Sequence, residues 1–269
     1  MPWDIPSTNS RVSVARARYS CRLLASSLIR LELVQRCTFS TWALALETCP
    51  FWRRNFVGPE GRVVGVDRAE AAVAWAMARV RSQRIKQVDF LLGDPAAMQF
   101  SQQFDAIVGR FVLMYYPDPV AAIRNLSRHL RPNGLMVFQE FDRDYLGAYP
   151  TAPTFDRAAE WMRAAFRATG ARIRLGAELY PMFLSAGLPG PSLRMDILIG
   201  GGAEFQGYDL LAGVLQSLFP VMEQLGIATA ADIDFATLAE RMRGEVVATN
   251  GVALSPAIIG AWCRKSNSS

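Results

Sequence analysis

Residues 62–67 have the sequence R-V-V-G-V-D, a short apolar run that ends abruptly in the carboxylate of Asp67. β-Branched valines favour strands, and an uninterrupted apolar run is typical of a strand buried on both faces. The alanine-rich residues 69–81 follow and predict a helix, so Asp67 lies at a strand-to-helix turn. In open α/β sheets, ligands bind beyond the carboxyl ends of the strands. Asp67 therefore either accepts hydrogen bonds from both hydroxyls of a ribose or caps the following helix, and this strand alone supports both interpretations equally.

A second acid follows the next predicted strand. Residues 88–92, V-D-F-L-L, predict a strand, and Gly93, Asp94 and Pro95 come directly after it. Asp94 could accept a hydrogen bond from an amino group such as that of an adenine, or it could be an ordinary turn residue. Because the two acids lie one strand–helix unit apart at the same sheet edge, together they favour a nucleoside site.

The alternation of strand and helix continues to residue 140. Residues 104–109 predict a third strand that runs into R-F-V-L-M, residues 120–130 predict a helix, and residues 135–138 predict a fourth strand. This alternation predicts an α/β fold with a Rossmann-like, mostly parallel sheet and helices on both faces. His129, the only histidine, lies near the C-terminus of the predicted helix. We expect a surface side chain there, helped by the helix dipole, rather than a catalytic base.

The pattern changes beyond Glu140. Residues 154–169, 178–186 and 203–248 predict helices. Residues 193–199 alternate like a strand, and residues 256–262 predict a closing strand. The C-terminal half is therefore predicted to be mainly helical, with the last strands of the sheet.

The composition is that of a soluble globular protein, with 51% apolar and 20% charged residues. No window approaches the roughly 18 uninterrupted apolar residues of a membrane span. The net charge of +5 is confined to residues 1–56, which hold eight arginines against three acids, so a nucleic-acid or membrane partner is not expected. Cys21, Cys37 and Cys49 lie in the same segment without metal-ligand spacing, so we expect no metal site and a reducing, cytoplasmic location.

Residues 1–56 are rich in arginine and serine and lack clear periodicity. They are interpreted as a targeting peptide, as a disordered basic arm, or as an out-of-frame translation. Joining the third base of each codon to the first two of the next forces Gly at Trp42-Ala43 and Leu at Phe51-Trp52. The same shift allows residues 37–56 to be translated as H-V-L-D-V-G-A-G-A-G-D-V-S-L-L-A-A-E-L, a strand, a glycine-rich turn and a helix start. We therefore favour the third interpretation, with the true frame resuming near Val57.

Residues 57–142 resemble the class I S-adenosylmethionine-dependent methyltransferases. The matching motifs are V-G-P-E-G-R-V-V-G-V-D at 57–67, L-L-G-D-P at 91–95, F-D-A-I-V-G-R-F-V-L-M at 104–114 and L-R-P-N-G at 130–134. The long C-terminal half, which ends in G-A-W-C-R-K, is similar to the branch of the family that acts on small molecules. In that branch, inserted helices cover the active site.

The resemblance implies a seven-stranded sheet with a reversed final strand, which residues 256–262 would supply. It implies that the cofactor is S-adenosylmethionine and that the partner is a small-molecule methyl acceptor. The implied cofactor-binding residues are Asp67 at the ribose hydroxyls, its neighbour Arg68, Asp94 and Pro95 at the adenine, and Arg110 and Phe111 near the methionine moiety.

The family's first strand and D-x-G-x-G-x-G loop are missing from residues 1–56 as translated. We therefore expect three segments: the anomalous residues 1–56, a cofactor-binding α/β core at 57–145, and a helical cap with the last two strands at 146–269. We also expect the chain as written to be poorly soluble and free of cofactor.

Methyl transfer from a sulfonium depends mainly on in-line alignment, and a base is needed only if the acceptor must lose a proton. Glu140, Asp142 and Asp144 could serve as that base or form a solvated acidic turn, which is the interpretation we favour. No residue is therefore assigned a catalytic role. Two alternatives remain: a nicotinamide-dependent oxidoreductase, which would also place an acid after its second strand, and a non-catalytic or misfolded product.

Overall fold

The computed structural model describes the backbone of residues 41–43 and all of residues 61–267. The interpretations of residues 1–40 and 44–60, including the glycine loop, concern segments outside the described residues. The strands are β1 (Thr41–Ala43), β2 (Val63–Asp67), β3 (Val88–Leu92), β4 (Phe104–Arg110), β5 (Leu130–Asp142), β6 (Gly147–Tyr149), β7 (Ser192–Asp196), β8 (Ile199–Gly200), β9 (Val252–Leu254) and β10 (Ala257–Arg264). The helices are Glu70–Ser82, Pro119–Arg128, Pro153–Ala168, Leu175–Ser185, Gly207–Gln224, Ala230–Ile233 and Leu238–Ala248, and a 3-10 turn covers Leu113–Tyr115.

Seven strands form one sheet in the order β3-β2-β1-β4-β5-β10-β7. Strands β1 to β5 pair in parallel, as predicted for an α/β fold. Two hydrogen bonds join β5 to the residue that follows β10: the Asn133 amide donates to the Lys265 carbonyl (3.0 Å) and the Lys265 amide donates to the Gly134 carbonyl (2.9 Å). The end of β10 therefore lies beside the start of β5, and the two strands run antiparallel. The reversed final strand expected from residues 256–262 is confirmed.

We expected the first strand to be missing. This expectation is wrong for the backbone, because residues 41–43 form a strand of the sheet. The three-residue strand β1 lies between β2 and β4, with Thr41 opposite Val63 and Ala106. The physical reason is that main-chain N–H and C=O groups of two neighbouring strands need partners, and an extended segment supplies them whatever its side chains are.

Valines and alanines build one core cluster between the sheet and the helix Glu70–Ser82. Its buried members come from that helix and from all four of the strands β2 to β5: Val63, Val73, Ala76, Val80, Val88, Phe90, Ala106, Val108, Leu135 and Val137. Gly65 and Gly109 let aromatic rings approach the strands, because an added Cβ would lie 2.3 Å from Phe90 and 2.2 Å from Phe138. The runs recognised in the sequence are thus the strands β2 and β3, which bring Asp67 and Asp94 to the same edge of the sheet.

Several element boundaries differ from the predictions, and three segments differ in their start or in their division. Strand β5 begins at Leu130 rather than residue 135, because Asn133 adopts a φ of 59° without ending the strand. Residues 193–199 divide into β7 and β8, which belong to different sheets. Residues 203–248 form three helices because Gly226 and Asp234 adopt left-handed backbone conformations, with φ of 65° and 48°.

The chain divides into two compact units. Of the residues in 61–267, one unit holds 61–140, 175–194 and 259–267, which include most of the seven-stranded sheet. The other holds 141–174 and 195–258, where β6, β9 and β8 form a three-stranded antiparallel sheet alongside four helices. None of the helices within 61–267 is both long and apolar enough to cross a membrane.

Candidate functional site

Asp67 is the last residue of β2 and is half-buried. Its Oδ1 accepts a hydrogen bond from the Ala69 amide at 2.8 Å, and within residues 61–267 no hydrogen bond reaches Oδ2. The N-cap of the following helix is Ala69, which makes no side-chain cap, so Asp67 is not the helix cap. The carboxylate is held by the turn while one oxygen stays available, which fits a pair of ribose hydroxyls.

Asp94 lies beside Asp67 at the same edge of the sheet. Asp67 is opposite Leu92 in the ladder, and the Gly93 amide donates to the Asp67 carbonyl at 2.9 Å. Oδ1 of Asp94 accepts from the Ala96 amide at 3.0 Å, so Asp94 is a turn residue, and its contact with an adenine stays a prediction. Neighbouring strands are about 4.8 Å apart, so the adjoining ends of β2 and β3 bring the two carboxylates to the same part of the sheet edge.

Asp94 is held from two further directions. The Tyr116 hydroxyl donates to Oδ1 at 2.6 Å, and the Arg68 guanidinium donates to Oδ2 at 2.5 Å. The same guanidinium lies over the Tyr116 ring, 4.4 Å from its centroid. Burial, and then the hydrogen bond to Asp94, raise the pKa of Tyr116 above the ordinary value for tyrosine, so its hydroxyl stays a donor.

Tyr116 is a site residue that the sequence patterns did not identify. The predicted turn after the third strand contains Tyr115 and Tyr116, and nothing in the sequence distinguishes them. In the structure, Tyr116 is half-buried and bonds to Asp94, whereas Tyr115 is 42% exposed. The only signal in the sequence is the pair of adjacent tyrosines in a turn at the carboxyl edge of the sheet. That pair does not show which of the two contacts Asp94.

Pro95 is buried in the turn after β3. The carbonyl of Asp94 accepts from the amides of Ala97 (3.0 Å) and Met98 (2.9 Å), which closes a tight turn around the proline. Since proline fixes its own φ, Pro95 shapes the turn that presents Asp94.

Arg110 and Phe111 lie at the end of β4. The strand order places β1 between β2 and β4, so Arg110 is on the order of 10 Å from Asp67 along the sheet edge. Arg110 is 7% exposed, and its guanidinium lies 4.4 Å from the centroid of the Phe111 ring. Phe111 has a φ of 51°, and its amide donates to the Gln139 carbonyl at 2.8 Å. The sheet edge therefore presents the expected residues in the order Asp94, Asp67, Arg110.

The solvated acidic turn expected at residues 140–144 is wrong for two of its three acids. Glu140 is fully buried, and its Oε1 accepts from the amides of Val112 (3.0 Å) and Leu113 (2.7 Å). Asp142 is 4% exposed and accepts from the Asp144 amide. Strand β5 continues through Asp142, which explains the burial, and only Asp144 is a surface acid, paired with Arg174 at 2.8 Å.

His129 lies at the opposite edge of the sheet from the candidate site. It follows the helix Pro119–Arg128, and its carbonyl accepts from the amide of Phe104, the first residue of β4. Its ring packs edge-on against Phe100, with centroids 5.1 Å apart. Burial lowers the pKa of His129, and the position at the far edge of the sheet supports no catalytic role.

Histidine, cysteine, aspartate and glutamate side chains form no group suited to a metal ion within residues 61–267. The candidate site is therefore built from carboxylates, one tyrosine, two arginines and main-chain groups, a set that suits a nucleoside.

A family model described as a methyltransferase domain matches residues 51–187, just over half of the chain. The chain belongs to this methyltransferase family. The resemblance to the class I S-adenosylmethionine-dependent enzymes is thereby confirmed. The match begins at residue 51, so it omits most of the segment in which the family's first strand and glycine loop are expected.

Several relatives and structural neighbours of this chain are named as methyltransferases. A 2-phytyl-1,4-naphtoquinone methyltransferase of Thermosynechococcus vestitus is 31% identical over 164 residues, which cover 59% of this chain and 69% of that protein. A demethylmenaquinone methyltransferase of Lactococcus lactis is 30% identical over 105 residues, so the match spans only 39% of that relative's length. The solved structure of phosphoethanolamine N-methyltransferase 2 of Haemonchus contortus, in complex with phosphomonomethylethanolamine and S-adenosylhomocysteine, shares the fold with a TM-score of 0.53 at 13% identity, covering 90% of this chain and 52% of that chain.

Proposed function

We propose that this chain is an S-adenosylmethionine-dependent methyltransferase that acts on a small-molecule acceptor. The observation that carries the proposal is the pair of carboxylates, Asp67 and Asp94, at the adjoining ends of β2 and β3 in a member of the methyltransferase family. The quinone methyltransferases among its relatives support a small-molecule acceptor rather than a macromolecule. A cytoplasmic location and the absence of a nucleic-acid partner stay predictions.

The residues of the sheet edge would hold the cofactor in an extended arrangement. Oδ2 of Asp67 would accept from the ribose hydroxyls, Asp94 would accept from the adenine amino group, and Arg110 with Phe111 would line the methionine end. The cofactor supplies a methyl group on a good leaving group, so the contribution of the protein is alignment of donor and acceptor.

The buried acids of β5 are unsuited to proton removal from an acceptor. Glu140 is fully buried and holds two main-chain amides, and Asp142 is buried and holds a third. A base must reach the proton that it removes. We therefore assign Glu140 to the support of the turn after β4, and we assign Asp142 no role in the site.

We further propose that residues 1–56 are an out-of-frame translation that replaces the glycine loop, ahead of a cofactor core at 57–145 and a cap with the last strands at 146–269. Three sequence facts support this: the first glycine of the chain is Gly58, the family match begins at residue 51, and the excess positive charge lies in 1–56. The genomic nucleotide sequence is the test, and an alternate frame without D-x-G-x-G-x-G would refute the proposal.

The experiment for the proposed function is calorimetry on the restored chain, in which residues 37–56 carry the shifted-frame sequence. We expect S-adenosylhomocysteine to bind and NADH not to bind. Asp67→Ala should abolish the binding without unfolding the chain, whereas the control Asp89→Ala, on the exposed face of β3, should retain it. Binding of NADH in place of S-adenosylhomocysteine would identify the oxidoreductase instead.

A further inference from the structure

The two oxygens of the Asp94 carboxylate are engaged differently. Oδ1 accepts from two donors of the protein, the Ala96 amide at 3.0 Å and the Tyr116 hydroxyl at 2.6 Å. Oδ2 accepts from Arg68 at 2.5 Å. A carboxylate oxygen has two lone pairs, so Oδ1 is saturated while Oδ2 has room for one more donor.

The bond from Tyr116 is the stronger of the two side-chain contacts. A short O–H···O⁻ bond belongs to the charge-assisted class, and Tyr116 is half-buried. The Arg68–Asp94 pair is exposed, with 47% and 34% of the two side chains accessible, and such surface pairs contribute little to stability. An incoming amino group can therefore share or displace Arg68 at Oδ2, while Tyr116 keeps its place at Oδ1.

The backbone of Tyr116 is connected to strand β5 through hydrogen bonds of the 3-10 turn. Its amide donates to the Leu113 carbonyl at 3.0 Å, at the end of the 3-10 turn. The first amides of that turn, from Val112 and Leu113, donate to the buried carboxylate of Glu140 on β5. A continuous set of hydrogen bonds thus connects β5 to the hydroxyl that orients Asp94.

We propose that Tyr116 is a positioning residue that makes the site selective for an amino-substituted purine, because it fixes Oδ1 of Asp94 and leaves Oδ2 facing the base. The proposal rests on the proposed function, since it assumes that an adenine binds beside Asp94. A 6-oxo purine would present an acceptor to the carboxylate, and a site built for a donor rejects such an analogue.

The test compares Tyr116→Phe with the unmodified protein. Both are full chains, and the form used, as written or frame-restored, is the one that binds S-adenosylhomocysteine. The Phe variant keeps the ring under Arg68 and removes only the hydroxyl. Calorimetry would measure the Kd of S-adenosylhomocysteine and of S-inosylhomocysteine, its 6-oxo analogue. We expect the variant to lose about tenfold in affinity for the adenine ligand and little for the analogue, so that the selectivity ratio falls.

Two controls separate positioning from a general loss of structure. Tyr180→Phe removes a hydroxyl from the helix Leu175–Ser185 of the same unit and should leave both affinities unchanged. In an Asp94→Ala background, Tyr116→Phe should change either affinity by less than about twofold, because its effect passes through Asp94.

Three outcomes would overturn the proposal. An equal loss of affinity for both ligands would make Tyr116 a merely structural residue, and unchanged affinities would remove its role altogether. If the unmodified chain binds S-adenosylhomocysteine in neither form, the proposed function itself fails and the role of Tyr116 fails with it.

Discussion

Glu140 shows how one buried side chain supports the candidate site. A carboxylate with no exposed surface is costly unless polar groups bond to it, and the amides of Val112 and Leu113, in the turn after β4, both donate to its Oε1. Because this turn follows Arg110 and Phe111, Glu140 fixes the backbone at the end of the site that we propose for the methionine moiety.

We expect Glu140→Gln to lower the free energy of unfolding by about 1–3 kcal/mol, since a neutral amide replaces a charged acceptor of two buried N–H groups. Urea unfolding would measure the change. Asp144→Asn is the matched control four residues later, where the acid forms an exposed pair with Arg174 and the cost should stay below about 1 kcal/mol. Equal effects of the two substitutions would contradict the assignment.

His129 gives the fold a defined pH dependence. Burial lowers the pKa of its imidazole in the folded chain, so the unfolded chain binds the proton more readily. Its contribution to stability is therefore present above the ordinary histidine pKa and is lost as the pH falls below that value.

Thermal melting of the unmodified chain and of His129→Gln at pH 7.5 and pH 5.5 would test this sign. We expect the unmodified chain to lose more stability than the variant on acidification. A larger loss in the variant would instead indicate a histidine stabilised in its charged form.

At the residue scale, the sequence predicted the acids but not their supports. Asp67 and Asp94 could be identified because each follows, directly or after one glycine, a run of residues that predicts a strand. Tyr116 could not, since its role depends on which of two adjacent tyrosines the 3-10 turn directs towards Asp94. Glu140 was misjudged because a burial that depends on amides 27 residues away leaves no local pattern.

At the scale of single elements, strand β4 depends on the absence of a side chain at Gly109. An added Cβ would lie 2.2 Å from the ring of Phe138, which is fully buried and packs edge-on against Phe183. The ring cannot move aside without disturbing that contact.

We expect Gly109→Ala to destabilise the fold by about 1–3 kcal/mol through overpacking. Gly244→Ala is the control: it lies in the helix Leu238–Ala248 with nothing within 4 Å of the added Cβ, and it should stabilise by up to about 1 kcal/mol. Chemical denaturation of both variants is the measurement, and a tolerated Gly109→Ala would mean that the ring has room to shift.

Element types were predicted better than element partners. The strands β2, β3 and β4 and the helix Glu70–Ser82 follow from local apolar periodicity. The division of residues 193–199 between two sheets does not, because alternation of side chains indicates a strand without indicating its neighbour. The breaks at Gly226 and Asp234 depend on single left-handed residues inside a segment of helical composition.

At the scale of the whole molecule, the chain combines a recognisable cofactor edge with an N-terminal segment that does not match it. Within the described residues, the expected side chains lie at the ends of three strands: Asp67 at β2, Asp94 after β3 and Arg110 at β4. The sequence between Thr41 and Gly58 contains no glycine, although close backbone approach at this place in the family depends on glycine. The fold class was therefore predictable from residues 57–142, whereas the loss of the loop stays a prediction.

The most direct measurement is calorimetric titration of S-adenosylhomocysteine into two full chains, one as written and one with residues 37–56 in the shifted frame. We expect the restored chain to bind with a Kd below about 100 µM and the chain as written to show no binding. Binding by the chain as written would contradict the loss of the loop. No binding by a folded, restored chain would contradict the nucleoside site at Asp67 and Asp94.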